Sequence, residues 1–175
     1  MLIYGVILYN GLVRLRNEND RAWTNVDVLL KQRHDEIPIL IETVKGYMQH
    51  EQQTLLALTQ ARTASISAAS IGQKALADLR VTSALNGLFA VAENYPQLKA
   101  NDNFLKLQTR ITKLEERIAD RREFFNDDAN TYNTRIGQIP EVFVASFLDM
   151  KRRQMFDVSD ADRKQVEVSF SGHTT

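Results

Sequence analysis

The chain has 175 residues, 43% hydrophobic and 25% charged, enough for one domain with a sizeable core and too apolar for disorder. Its 22 basic and 22 acidic side chains cancel, so it lacks the basic excess of a nucleic-acid binder. Cysteine is absent, which excludes disulfides, thiolate catalysis and cysteine-ligated zinc.

Residues Met1 to Val13 read MLIYGVILYNGLV, apolar except for Asn10 and without charge until Arg14. The run is shorter than the roughly 20 apolar residues a spanning helix needs. It also lacks the charged start and small-residue cleavage site of a complete signal peptide. It reads either as a buried helix end or, as favoured here, as the inner half of a membrane anchor. In that reading Leu2, Ile3, Val6, Ile7 and Leu8 face lipid or another copy of the chain. Arg14, Arg16 and Arg21 follow it, and the positive-inside tendency favours the cytoplasmic side for the bundle, while the side of the membrane stays open.

From Leu8 to Arg33 the apolar positions Leu8, Leu12, Leu15, Ala22, Val26 and Leu29 recur at helical spacing, beside a stripe of Tyr9, Trp23 and Leu30. Pro38 interrupts, and predicts a turn around His34 to Ile37 with Pro38 in the first turn of a second helix; a kinked continuous helix is the alternative. The second helix directs Leu40/Ile41, Val44, Tyr47/Met48, Glu51, Leu55 and Leu58 inward. It fades in the small-residue tract Ala61 to Ser70, either a linker or a closely packed helix end, and Gly72 ends it. A third helix is expected from about Gln73 to Glu93, stopped by Pro96; Asn86-Gly87 lies within helical pattern and is not read as a hairpin.

Asn101 or Asp102 caps the fourth helix, where Phe104, Ile111, Ile118, Phe125, Tyr132 and Ile139 recur every seven residues. A companion column holds Leu107, Leu114, Arg121, Asp128 and Arg135, apolar in its first half and charged in its second. Beyond Pro140 come a short apolar piece, Val142 to Met150, and a basic patch, Lys151 to Arg153. Strand-like alternation follows at Val166 to Phe170. The pattern predicts an all-α, antiparallel up-and-down four-helix bundle with an extended apolar N-terminal helix. Its parts are a membrane or assembly segment (1–13), the bundle (14–139) and a tail packing on it (140–175).

Chemistry-bearing motifs are missing. The glycines make neither a phosphate loop nor a dinucleotide fingerprint. His50-Glu51 resembles the start of a zinc-protease motif, but Thr54 stands where the second histidine belongs. A di-iron bundle needs Glu three residues before His, and Lys31, Tyr47 and Phe170 hold those positions. No metal, no cofactor and no enzymatic activity are expected.

The wording of the chain is more specific. YNGLVRLRN (Tyr9 to Asn17), AWTNVDVLLKQRHDEIPILIETVKGY (Ala22 to Tyr47), His50-Glu51 with Thr54-Leu55, and Ala61-Arg62 closely resemble the start of LemA family proteins. NYPQLKANDNFLKLQ (Asn94 to Gln108), RIADRREFFNDDANTYNTRI (Arg117 to Ile136), Met155-Phe156, Val166 and Phe170 continue the resemblance over nearly the whole chain. It implies an antiparallel four-helix bundle behind a single N-terminal membrane segment, and a biochemical role undefined across the family. Two departures stand out. The chain starts partway through the expected membrane segment, and the piece after the bundle lacks the glycine-phenylalanine, proline-rich wording common there.

Arg121, Asp128 and Arg135 fall on the inward column, where charges must be paired. Glu51, Arg62 and Asn86, on the inner faces of helices two and three, are their expected partners. This polar layer either fixes the register of the bundle or lines a ligand site. The expected protein is a membrane-anchored scaffold or interaction protein, its partners being lipid at the N-terminus and either further copies of itself or another protein, with no nucleic acid. The alternatives are a small-ligand sensor built on the polar layer, or a homo-oligomer assembled through the N-terminal helix.

Overall fold

The computed structural model describes residues 2–157, and within them all regular structure is helical. In chain order the helices are α1 (Leu2–Lys45), α2 (Gln52–Ser67), α3 (Ile71–Ala92), α4 (Pro96–Lys99), α5 (Asp102–Arg135) and α6 (Glu141–Phe147). The alternation at Val166 to Phe170 lies outside the described residues. The described chain divides into two compact units, one of residues 2–29 with 117–156 and one of residues 30–116.

In the unit of residues 30–116, Ile37, Leu40 and Val44 of α1 recur at helical spacing, and Met48 adds to them from the turn that follows. They pack with Leu58 and Ala61 of α2, Val81, Leu85, Leu88 and Ala92 of α3, and Leu98, Phe104, Leu107 and Ile111. Phe89 and Phe104 meet edge to face at 6.3 Å, a geometry that sets the positive ring edge against the negative face.

The expected turn at His34 to Ile37 does not form; α1 runs through Pro38 as one helix. Proline cannot donate to the carbonyl four residues back, which strands the oxygen of His34. Arg62 fills the vacancy, its Nε donating to that oxygen at 3.3 Å. The break falls at 46–51 instead. The amides of Tyr47 and Met48 both close onto the Val44 oxygen at 3.0 Å, and Met48 is buried. Gly46, a poor helix former, is where helical bonding gives out.

The small-residue tract is helical as far as Ser67. Ser70 then caps α3: its Oγ accepts from the Gln73 amide at 3.2 Å, while Gln73 Oε1 accepts from the Ser70 amide at 3.2 Å. Gly72 therefore opens a helix, where the sequence suggested an end. Asn86 and Gly87 lie inside α3, and Pro96 occupies the first turn of α4, where its missing N–H is harmless. Asn101 caps α5, its Oδ1 accepting from the amides of Asn103 and Phe104 at 3.0 and 3.1 Å. Phe104, Ile111, Ile118, Phe125 and Tyr132 are all buried along α5, whereas Ile139 lies beyond its end and is exposed.

In the unit of residues 2–29 and 117–156, Leu12 packs with Tyr132, Ile136 and Ala145, joined by Leu15, Val144 and Met150. The Trp23 ring lies 5.3 Å from Phe125 and 5.9 Å from Phe156. Two asparagines one heptad apart on α5 hold the segment after α6 as a second strand of chain would. Asn133 accepts from the Arg153 amide at 2.7 Å and donates to its carbonyl at 2.9 Å. Asn126 does the same at Phe156, at 2.8 and 3.2 Å.

Candidate membrane or assembly surface

Two of the three charges in the α5 column, Arg121 and Arg135, face solvent. Arg121 is exposed and lies over the Phe124 ring at 5.7 Å, and Arg135 is exposed and reaches Glu141 at 3.3 Å. Asp128 is half-buried in a cleft of about 250 Å³ lined also by Glu18, Arg21, Ala22, Asn25, Arg121 and Phe124. Burial first, then the nearby charges of Glu18 and Asp127, push its carboxyl above the ordinary value. Arg121 and Arg135 therefore do not point inward, contrary to what the heptad spacing predicts. Seven residues fall about 20° short of two helical turns, so a column read by sevens drifts around the helix. Along α5 the buried partner positions are Leu107 and Leu114 early and Ala129 and Ile136 late. They shift from three residues after the heptad position to four, which leaves Arg121 and Arg135 outside.

The expected partners of that layer do not meet it. Glu51 accepts from the Tyr95 hydroxyl at 3.0 Å, Arg62 serves the His34 carbonyl, and Asn86 is exposed on α3. Burial, then the hydrogen bond and charge of Glu51, raise the Tyr95 phenol above its ordinary value, so it stays a donor.

Arg33, just before the expected turn, is buried. It is 2% exposed. Its Nη2 donates to Asp78 at 2.6 Å, and its Nη1 donates to Glu115 at 2.6 Å and to the Thr82 hydroxyl at 3.2 Å. Thr82 in turn donates to the other Glu115 oxygen at 2.6 Å. The guanidinium is thus desolvated, doubly paired and closed to any substrate. Arg33 continues the spacing Val26, Leu30, Ile37, Leu40; once α1 is uninterrupted, that periodicity places it inward.

Among the described residues no group of three His, Asp or Glu side chains is placed to hold a metal ion. A cleft of about 700 Å³ between Gly46, Tyr47, Tyr95, Pro96 and Gln97 is open and carries no nucleophile beside a base.

The apolar start of α1 is different in kind. Helix α1 is unbroken back to Leu2, and Ile3 (79% exposed), Tyr4, Val6, Ile7 and Tyr9 stand out from it. Leu8 is half-buried, and the side chain of Leu2 lies outside the described set. Burial resumes at Leu12. Among the described residues, the helix long and apolar enough by composition to cross a membrane is α3, not the N-terminal stretch. Its apolarity has a simpler use: Val81, Leu85, Leu88 and Ala92 build the core, and Asp78 holds Arg33.

Comparison with known proteins places the chain. A model of the LemA family matches residues 22–170. Protein LemA of Metamycoplasma hominis is 28% identical over 165 residues, covering 91% of this chain and 74% of that protein. Magnetosome protein MamQ 2 of Paramagnetospirillum magneticum is 26% identical, covering 87% of this chain and 66% of its own length. Magnetosome protein MamQ of Magnetospirillum gryphiswaldense is 25% identical, with 85% and 64% covered. This chain thus spans about two thirds of the length of the magnetosome relatives. None of these names is that of an enzyme.

Proposed function

The chain belongs to the LemA family, and on that footing we propose that it is a non-enzymatic four-helix-bundle scaffold attached to a membrane through the start of α1. The observation that carries this reading is the run of exposed apolar side chains from Ile3 to Tyr9 on one continuous helix. Each such side chain gains about 1.5–3 kcal/mol when it leaves water, so the run needs a cover. Residues 2–13 extend roughly 18 Å at 1.5 Å per residue, against a hydrocarbon core of about 30 Å. The described stretch therefore reaches well into a bilayer without crossing it. Arg14 and Arg16, both exposed, follow at the level where headgroups begin.

Flotation with liposomes tests the reading: the 175-residue chain is expected to rise with lipid, and a chain starting at Asn10 to stay behind. Self-assembly through the same side chains is the second reading. It predicts light scattering from the full chain that grows with concentration in the absence of lipid. If both chains stay monomeric and neither floats, the apolar start of α1 is neither an anchor nor an interface. The small-ligand alternative draws little support from the charged column: Arg121 and Arg135 face solvent, and the cleft at Asp128 is open and does not include Glu51.

A further inference from the structure

We infer that α6 is a second membrane contact, a short aromatic wedge lying in the headgroup region of an anionic bilayer beside the point where α1 enters it; this rests on the membrane attachment proposed above. Phe143 and Phe147 stand one helical turn apart on α6, 69% and 89% exposed. Ile139 before them (79%) and Leu148 after them are exposed as well. Four large apolar side chains crowded on so short a segment are not the scattered surface hydrophobes of a soluble protein.

The other side of α6 fixes where this wedge sits. Ala145 is buried against Leu12, with Val144 and Met150 packed on the same cluster. Glu141, in the first turn of α6, shares a cleft with Ile7, Leu8 and Gly11. The wedge is thereby held to the turn of α1 where the apolar run gives way to Arg14 and Arg16. If that run occupies the acyl region, α6 lies at its boundary with the headgroups, the depth to which interfacial helices bury their apolar faces.

Charge selects the kind of lipid. Lys151 and Arg152, three and four residues after Leu148, are exposed, Lys151 being paired with the exposed Asp149 at 3.4 Å, and Arg16 is exposed on α1. Among the described residues neither Arg16 nor Arg152 has an ion-pair partner, so both are available to phosphate oxygens. A second copy of the chain fits less well. A stable interface takes about 800 Å² from each partner, whereas aromatic side chains offer roughly 150–250 Å² apiece and only two are here.

The absence of cysteine makes the test direct. Phe147→Cys and Ile7→Cys, each in the full chain, carry an environment-sensitive fluorophore, and vesicles contain phosphatidylcholine with phosphatidylglycerol. Both labels should shift to the blue on vesicles. Lipid quenchers at the headgroup should act most on the label at 147, and mid-chain quenchers most on the label at 7. A label at 147 that stays aqueous while the label at 7 enters lipid overturns the wedge and leaves the attachment standing. If neither enters, both readings fall. A blue shift at 147 that appears without vesicles and grows with protein concentration gives the surface to a second copy and overturns the wedge. The double variant Phe143→Ser with Phe147→Ser should keep its helical spectrum and lose roughly tenfold or more in vesicle partitioning. Unchanged partitioning of that variant counts against the inference.

Discussion

In the unit of residues 30–116 the central polar contact is a buried guanidinium between two carboxylates, whereas in the unit of residues 2–29 and 117–156 the buried polar groups are mainly neutral amides. Arg33, Asp78 and Glu115 make up the first. Asn19 and Asn133 are the buried amides of the second, and its buried carboxylate, Glu141, is paired with Arg135. The difference teaches how each unit is specified. A desolvated ion pair is a weak source of net stability but a strong penalty on any arrangement that separates it. It therefore ties α1, α3 and α5 to one register. An amide that matches a backbone N–H and C=O can hold a segment of chain that has no regular structure, as Asn133 and Asn126 hold 153–156.

The largest expected effect comes from breaking the ion pair. Arg33→Ala should destabilise the protein by about 3–5 kcal/mol, because it leaves the Asp78 carboxylate buried, and Glu115 half-buried, without their cation. Arg121→Ala, the same truncation at an exposed site, should change stability by less than about 0.5 kcal/mol. Urea unfolding of the two variants measures both. Equal losses would mean that the network around Arg33 contributes no more than an exposed charge does.

Asn133→Ala comes next, at about 1–3 kcal/mol, the penalty for leaving buried partners unsatisfied. Its signature should be local. Hydrogen exchange at the Arg153 amide should speed up markedly, while the amides around Arg33 keep their protection. A uniform rise in exchange would show that the asparagine holds the whole molecule and not only the returning segment.

Arg62→Met should follow at about 1 kcal/mol, the worth of one hydrogen bond, since its apolar stem is kept and only the donor to the His34 oxygen is lost. The substitution also sharpens the reading of Pro38. Combining it with Pro38→Ala, which restores the N–H, should recover most of the loss; no recovery would mean that Arg62 does not compensate for the proline.

Helical class, the seam of α5 and its asparagine cap were legible because they rest on local spacing and local chemistry. The continuous α1 was not, because the donor that rescues Pro38 comes from position 62, far along the chain. That single misplaced turn also hid Arg33: once the helix was cut at 34, the stripe from Val26 to Val44 no longer ran through position 33. The charged column failed for another reason. A heptad is a slightly wrong ruler for an α-helix, and the error accumulates toward Arg121 and Arg135. The exposed start of α1 was visible as composition; that α6 would be set beside it was not, since Ala145 gives no sign of its partner Leu12.

The smallest expected effect, and the one whose sign is most informative, is at Asp128. Burial, followed by the charges of Glu18 and Asp127, raises its folded value above the ordinary 3.8. The folded chain therefore holds the proton more tightly than the unfolded chain. Stability from this group falls as pH rises from about 3.9 through the raised value, and the penalty is constant above it. Asp128→Asn removes the penalty. It should melt slightly higher than the parent at neutral pH, by a few tenths of a kcal/mol at most given the open cleft, and the advantage should vanish in acid below the ordinary carboxylate value. Melting curves of the two proteins across that range measure it. A variant less stable than the parent at neutral pH would carry the opposite message. Arg21 of α1 and Arg121 of α5 line the same cleft, and that result would mean they hold Asp128 as a carboxylate.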